Sequence, residues 1–148
     1  MSSKVPLAYI DLRVFAHATE DPERVLSAVR SIIPLELTET VVFKKSSLTG
    51  HHGNPITILE TRIKEKEITQ PVFEKLSTGL GIFDKDLLSN EIDQHLESGN
   101  LYLRLDKQSA YLNELKLGTT DPIHLRIHFK KHRRDEVLEI CRRFGLLP

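Results

Sequence analysis

The sequence has few of the residues that cross-link small extracellular proteins or build membrane spans. Its 148 residues include one cysteine and no tryptophan. The single thiol, Cys141, cannot form an internal disulfide, which is typical of proteins in the reducing cytoplasm. No stretch approaches the roughly 18 apolar residues that a membrane span requires, and the first residues lead into a predicted strand rather than a cleavable apolar segment. We therefore expect a cytoplasmic protein without a membrane partner.

The chain also has no excess of charge of either sign, since 21 Lys and Arg residues balance 21 Asp and Glu residues. This balance argues against a strong non-specific binder of nucleic acids. The charges are nevertheless segregated, because acidic residues predominate between positions 60 and 97 and basic residues between 124 and 143. Such segregation either creates a basic surface on a neutral protein or is neutralised within the fold.

Recognisable catalytic and metal-binding motifs are absent from the sequence. There is no G-x-S-x-G turn, Walker motif, Rossmann glycine pattern, cysteine pair or H-E-x-x-H helix. His124 and His128 lie about 13 Å apart along an extended strand, too far for two bonds of about 2.0–2.1 Å to one zinc ion. Cys141 falls on the apolar stripe of a predicted helix, where an inert buried thiol is typical. We predict no catalytic residue, no metal and no cofactor.

Hydrophobic periodicity predicts one α+β domain over residues 1–148, because the chain is long enough for a single core. The predicted strands are Leu7–Ala18, Glu36–Leu48, Ile56–Lys66, Leu101–Leu105, a short one at Leu115–Leu117 and the stretch Asp121–Lys130. The predicted helices are one capped by Asp21 and stopped by Pro34, one beginning at Thr69 and Pro71, one capped by Asp84, and Asp135–Phe144. This order indicates a largely antiparallel sheet with helices on one face and the other face free.

The stretch from Asp121 to Lys130 alternates without interruption between apolar and polar residues. Such alternation is typical of a strand with one face in the core and one in water. The apolar positions are Ile123, Leu125, Ile127 and Phe129, and the outward positions are His124, Arg126, His128 and Lys130. Four consecutive outward residues that carry or can acquire positive charge predict a sheet face for an anionic partner.

Other predicted strands place similar residues outward, namely Arg13, His17, Arg62, Tyr102 and Arg104. Arginine and lysine neutralise phosphates, and aromatic rings stack on bases. If these residues share one surface, the sheet offers a face suited to RNA. The alternative is a solvated or covered face, and the strand register decides between the two.

Two loops are further candidates. Residues 50–55 form a G-x-x-G loop that carries His51, His52 and Asn54, and this loop is either a phosphate cradle or a plain turn. In residues 106–111, either Lys107 contacts a partner or Asp106 caps one helical turn.

Three segments together resemble a known family: residues 15–21 (FAHATED), 51–56 (HHGNPI) and 101–108 (LYLRLDKQ). The chain is similar in these motifs, and in their order, to an archaeal family of predicted RNA-binding proteins, also described as predicted exosome subunits. The resemblance implies a compact α+β domain of the type seen in a ribosomal protein that contacts ribosomal RNA. It also implies a cytoplasmic setting near RNA processing or translation.

We predict a non-catalytic protein that binds structured, ribosomal or processing RNA, with protein subunits of an RNA-processing complex as further partners. The alternative is an assembly subunit that docks an acidic protein partner. An enzyme that acts on RNA through His51, His52 or Asp106 is the third hypothesis. The residues predicted to contact RNA are Arg13, His17, His51, His52, Asn54, Arg62, Tyr102, Arg104, Lys107, His124, Arg126, His128 and Lys130.

Overall fold

Six antiparallel strands form one sheet in the computed structural model, which describes residues 4–50 and 53–148. The strands are β1 (Leu7–Ala16), β2 (Lys44–Thr49), β3 (Pro55–Ile63), β4 (Leu96–Glu97), β5 (Asn100–Leu105) and β6 (Ile123–Phe129). Their order across the sheet is β2-β3-β1-β6-β5-β4. The predicted α+β class with an antiparallel sheet is confirmed, and β1 and β6 lie at its centre.

Helices cover one face of this sheet. They are α1 (Pro22–Arg30), α2 (Lys66–Gly79), α3 (Ile82–Asn90), α4 (Ile92–His95), α5 (Lys107–Tyr111) and α6 (Arg134–Arg143). The alternate apolar residues Ile10, Leu12 and Val14 of β1 point toward them and are fully buried, as are the apolar residues of β6, and Phe73 of α2 packs edge-on against Phe129 with 6.0 Å between ring centroids. No helix in the described part of the chain is both long and apolar enough to cross a membrane.

Two predicted caps are confirmed. The Asp21 carboxylate accepts a hydrogen bond from the Glu23 amide at 3.0 Å, and Pro22 occupies the first position of α1. The Asp106 carboxylate accepts one from the Ser109 amide at 3.0 Å, so residues 107–111 form the capped helical turn. Both side chains satisfy amides that have no partner within the helix.

The predicted strand over Glu36–Leu48 is wrong in its first half. Residues Leu35–Thr40 form a 3-10 helix, and β2 begins only at Lys44. The hydroxyls of Thr38 and Thr40 donate hydrogen bonds to the carbonyls three residues earlier, at 3.0 and 2.6 Å. These local bonds give the backbone an alternative to a strand ladder, although the residue types resemble those of a strand.

Other boundaries also differ from the prediction, since β1 ends at Ala16 rather than Ala18 and β3 ends at Ile63 rather than Lys66. Helix α2 begins at Lys66, so that Pro71 lies inside it rather than at its start. Asp84 lies within α3, and its carboxylate accepts a hydrogen bond from the Leu117 amide at 3.1 Å instead of capping the helix. The predicted strand at residues 115–117 is reduced to one bridge between Leu105 and Leu117. In the case of Asp84, a contact with a residue 33 positions away overrides the local preference for a helix cap.

Candidate nucleic-acid interface

The strand register places three of the predicted residues side by side on the open face of the sheet. Arg13 of β1 lies directly opposite His124 of β6, and His124 lies directly opposite Arg104 of β5. Directly opposite residues of antiparallel strands share one face and are close neighbours. We call Arg13, His124 and Arg104 the cationic row. On the other side of Arg13, Glu60 and then Lys44 continue the same line.

A second line, which we call the clamp row, consists of Arg62, Asp11, Arg126 and Tyr102. The two oxygens of Asp11 accept hydrogen bonds from Arg62 at 2.8 and 3.0 Å, and its Oδ2 also accepts from Arg126 at 2.7 and 3.1 Å. Partial burial acts to raise the pKa of Asp11, but the two guanidinium groups outweigh it and hold that pKa below its ordinary value. The single carboxylate of Asp11 therefore neutralises one of the two positive charges of the clamp row and fixes the position of both guanidinium groups.

A third line carries Tyr9, His128 and Asn100. The Arg62 guanidinium lies 3.9 Å from the centre of the Tyr9 ring. The His128 ring stacks on the same Tyr9 ring, with 4.8 Å between the two ring centroids. The amide oxygen of Asn100 lies 2.7 Å from Nδ1 of His128. Burial lowers the pKa of His128, and His132, Arg126 and Arg62 lower it further. This imidazole is therefore disfavoured as a cation in the free protein.

The cationic row differs from the clamp row because no carboxylate lies between its members, although Glu60 lies directly opposite Arg13 on β3. Among the described residues, no carboxylate forms an ion pair with Arg13 or Arg104. Burial lowers the pKa of His124, and the neighbouring Arg13 and Arg104 lower it further. Burial is the largest cause of this pKa shift, the two guanidinium groups add to it, and Asp121 acts in the opposite direction.

Both rows line a concavity of about 690 Å³ on the open face. Its floor is the sheet, with Lys44 at the β2 side and Gln94 of α4 at the opposite side. Tyr102 also lines it and is 37% exposed. The concavity therefore presents cationic, amide and hydroxyl groups on one surface, together with the carboxylates of Asp11 and Glu60.

Lys107 does not belong to this face. Its side chain is 2% exposed, and its ammonium donates to the Phe15 carbonyl at 2.9 Å, to Glu20 at 3.1 and 3.2 Å, and to Asp121 at 2.6 Å. His17 completes this group, with 3.0 Å between its Nε2 and Oδ1 of Asp121. We therefore remove Lys107 from the residues that we assign to RNA contact, because its charge is buried and already paired.

The group formed by His17, Glu20 and Asp121 has the composition of a cation site, since their ligand atoms lie within 4.8 Å of one another. The ammonium of Lys107 contacts both carboxylates, so a cation of the protein itself supplies the counter-charge. The group joins two of the family-like motifs, because Phe15 and Glu20 belong to residues 15–21 and Lys107 to residues 101–108. These motif residues hold one end of the sheet together.

The remaining predicted residues lie at the margins of the open face. Lys130 follows the end of β6 and is exposed, and its amide donates to the Pro6 carbonyl at 2.8 Å. Asn54 lies in the turn between β2 and β3, where its carbonyl accepts a hydrogen bond from the Gly50 amide at 2.7 Å. His51 and His52 lie outside the described residues.

The sequence analysis did not identify four residues that line the concavity, among them Asp11, which forms ion pairs with Arg62 and Arg126. Asp11, Glu60, Lys44 and Gln94 all line the concavity. The sequence places Asp11 on the same side of β1 as Arg13, which was a usable signal. The pairing of Asp11 with arginines 51 and 115 residues away was not, because it depends on the register of three strands.

Comparison with known proteins identifies the family of this chain. The model of a family described as RNA binding matches residues 9–129. A Pyrococcus abyssi protein named as an RNA-binding protein is 37% identical over 133 residues, which cover 88% of this chain and 86% of that protein.

Solved structures of archaeal DUF54 proteins have the same fold. A DUF54 protein from Archaeoglobus fulgidus has a TM-score of 0.77 at 29% identity and covers 93% of this chain and 99% of its own. A DUF54 protein from Methanothermobacter thermautotrophicus has a TM-score of 0.75 at 29% identity, covering 96% of this chain and 98% of its own. The resemblance to an archaeal family is thereby confirmed, and the chain belongs to the RNA-binding family whose model matches residues 9–129.

Proposed function

We propose that this chain binds RNA through the open face of its sheet, with the cationic row in contact with phosphates. The observation that carries the proposal is the absence of an ion pair to Arg13 or Arg104 among the described residues, although both flank His124 on adjacent strands. Arg13 and Arg104 each lie directly opposite His124, so a phosphate bound above this histidine would accept charge-assisted hydrogen bonds from both guanidinium groups.

The dimensions of the row suit a polyanion. Arg13 and Arg104 are two strands apart, which corresponds to roughly 10 Å between their backbones. Lys44 extends the same line by two further strands. The row therefore contacts more than one phosphate, and its binding free energy depends strongly on salt because each contact releases counterions.

The family description and the name of the Pyrococcus relative support RNA as the ligand. We assign no catalytic role to any residue. Association with ribosomal RNA, with an exosome or with other subunits of a processing complex remains a prediction from the resemblance, as does the cytoplasmic location.

The alternative predicted from the sequence, docking of an acidic protein, would use the same cations, because arginine accepts carboxylates as well as phosphates. Competition separates the two functions. If polyglutamate of matched charge displaces RNA at equal concentration of anionic groups, the row is a general acidic-partner site. RNA that resists such displacement supports the nucleic-acid function.

The proposal is tested by titrating isotopically labelled protein with structured RNA and following backbone amide and arginine Nε–Hε signals by NMR. We expect shifts concentrated in β1, β5 and β6 and at the side chains of Arg13 and Arg104. Signals from α1 and α6, which pack on the opposite face, serve as the internal control. Shifts concentrated in those two helices would show that RNA binds elsewhere.

A further inference from the structure

The open face has few aromatic surfaces on which a base can stack. Tyr9 is contacted by Arg62 from β3 and by His128 from β6, the strands on opposite sides of β1. A base therefore finds neither face of the Tyr9 ring free. This differs from sheet modules that bind single strands, where two or three exposed rings stack on successive bases.

The ring of Phe15 is also contacted by side chains of the protein itself. The Arg13 guanidinium lies 5.7 Å from its ring centre, and the His124 ring packs edge-to-face with it at 6.1 Å between centroids. Among the Tyr and Phe residues that the described strands place on the open face, Tyr102 alone exceeds one third exposure. One ring offers one stacking position, which does not make a track for unpaired bases.

The polar groups of the concavity suit a different ligand. The cationic row offers guanidinium groups to phosphates, and Gln94, Glu60 and Tyr102 line the same concavity with hydrogen-bonding groups. An A-form RNA duplex displays phosphates and 2′-hydroxyls, which both donate and accept hydrogen bonds, across its wide minor groove. Its bases are already paired and stacked, so it does not need exposed aromatic rings.

We propose that the ligand of this face is base-paired RNA, recognised through phosphates and 2′-hydroxyls rather than through unpaired bases. This inference rests on the proposed function and specifies its substrate class. It assigns Arg13 and Arg104 to phosphates and Gln94 to the sugar edge, with Tyr102 acting through its hydroxyl rather than its ring face.

The test compares binding of an RNA duplex with binding of one of its single strands, whose sequence is chosen so that it does not pair with itself. The duplex has about 20 base pairs, which exceeds the roughly 16 base pairs that double-stranded-RNA-binding domains span. Dissociation constants are measured by fluorescence anisotropy at one salt concentration for the full-length protein and for the variant Tyr102→Leu. We expect the duplex to bind at least about tenfold more tightly than the strand, the strand having no row of rings to stack on. We also expect Tyr102→Leu to weaken duplex binding by less than about threefold. A base stacked on the ring would contribute about fivefold or more to the affinity, and the duplex does not stack a base on Tyr102.

A strand that binds as tightly as the duplex, or a loss of more than about fivefold on Tyr102→Leu, would overturn this inference and leave the proposed RNA-binding face standing. Failure of both probes to bind at low salt would overturn the inference and the proposed function together. Circular dichroism of Tyr102→Leu confirms that the variant is folded, and the conservative variant Tyr102→Phe keeps the ring while removing the hydroxyl. Duplex affinity that falls with Tyr102→Phe as much as with Tyr102→Leu supports a hydroxyl contact.

Discussion

Arg13 and Arg104 flank His124 on the open face of the sheet, and neither forms an ion pair with a carboxylate in the described part of the chain. Two residues before Arg13 on β1, Asp11 holds Arg62 and Arg126 together. The face thus contains paired and unpaired arginines on adjacent lines. The paired ones order the surface, and the unpaired ones are available to an anion.

Replacement of Asp11 with Asn should change stability and RNA binding in opposite directions. The variant loses the carboxylate that receives hydrogen bonds from two guanidinium groups, so the free energy of unfolding should fall by about 1–3 kcal/mol. The two arginines become available to phosphates, so RNA affinity should rise and the slope of log affinity against log salt should steepen by about one. Urea unfolding and a salt titration measure the two effects.

The matched control for this variant is Asp135→Asn, since Asp135 pairs with Arg133 at 2.9 Å on the exposed end of α6. It removes the same charge from a site away from the open face. We expect less than about 1 kcal/mol of destabilisation from the control. Equal gains in affinity from both variants would show that net charge, rather than the released arginines, controls binding.

The stability of the fold should decrease in acid through Asp11 and Asp121. Burial acts to raise the pKa of each group, but hydrogen bonds from Arg62 and Arg126 to Asp11, and from Lys107 and His17 to Asp121, lower it below 3.8 overall. A carboxyl with a depressed folded-state pKa stabilises fully above its unfolded value, and this contribution disappears as pH falls through the folded value. The free energy of unfolding measured with urea should therefore decrease progressively below about pH 4. The decrease should be smaller in Asp11→Asn, which lacks one of the two carboxyl groups.

Replacement of Lys107 with Met should destabilise the fold strongly, because it leaves Glu20 and Asp121 facing each other without their shared ammonium. Loss of one partner from a buried charge group costs about 3–5 kcal/mol. The double variant Lys107→Met, Asp121→Asn should recover part of that loss, and Asn tolerates the positive φ of 47° at this position. Thermal unfolding measures both, and a loss below about 1 kcal/mol from the single variant would contradict the structural role.

RNA affinity should rise as pH falls through the titration of His124. In the free protein, burial and then Arg13 and Arg104 lower the pKa of His124, while Asp121 acts in the opposite direction. A phosphate bound in the row favours the imidazolium and raises that pKa, so binding takes up a proton. Affinity should increase between about pH 7 and pH 5.5, by up to about tenfold for each unit that the pKa rises on binding.

His124→Gln should lose most of this pH dependence, whereas the exposed His132→Gln should keep it. The comparison is made with one RNA duplex at constant ionic strength. A dependence that persists unchanged in His124→Gln would assign the proton to another group and would remove His124 from the phosphate site.

The alternation of β6 was enough to predict which of its residues face water, because a strand with one buried face shows its period directly in the sequence. The same period predicts that Ile10, Leu12 and Val14 share the core side of β1, and all three are fully buried. Fold class followed from the order of elements. These features depend on local patterns, and for that reason a single sequence reveals them.

The division of the candidate site could not be predicted in the same way. Whether Arg13 lies beside His124 or one residue away depends on register, and a shift of one residue would turn its side chain to the other face. Lys107 looked like an exposed turn residue, but its partners at Phe15 and Glu20 are 92 and 87 residues away. Only the assembled sheet shows that its charge is buried.

The most direct test of phosphate binding by the cationic row is the salt dependence of RNA binding for the double variant Arg13→Gln, Arg104→Gln. Its control is Arg30→Gln, Arg142→Gln, which removes the same charge from exposed positions on α1 and α6. We expect the first variant to bind at least about tenfold more weakly at low salt and to reduce the salt slope by about two, one for each lost phosphate contact, while the control stays close to the unmodified protein. Equal effects of the two variants, or an unchanged slope in the first, would contradict the assignment of RNA phosphates to the cationic row.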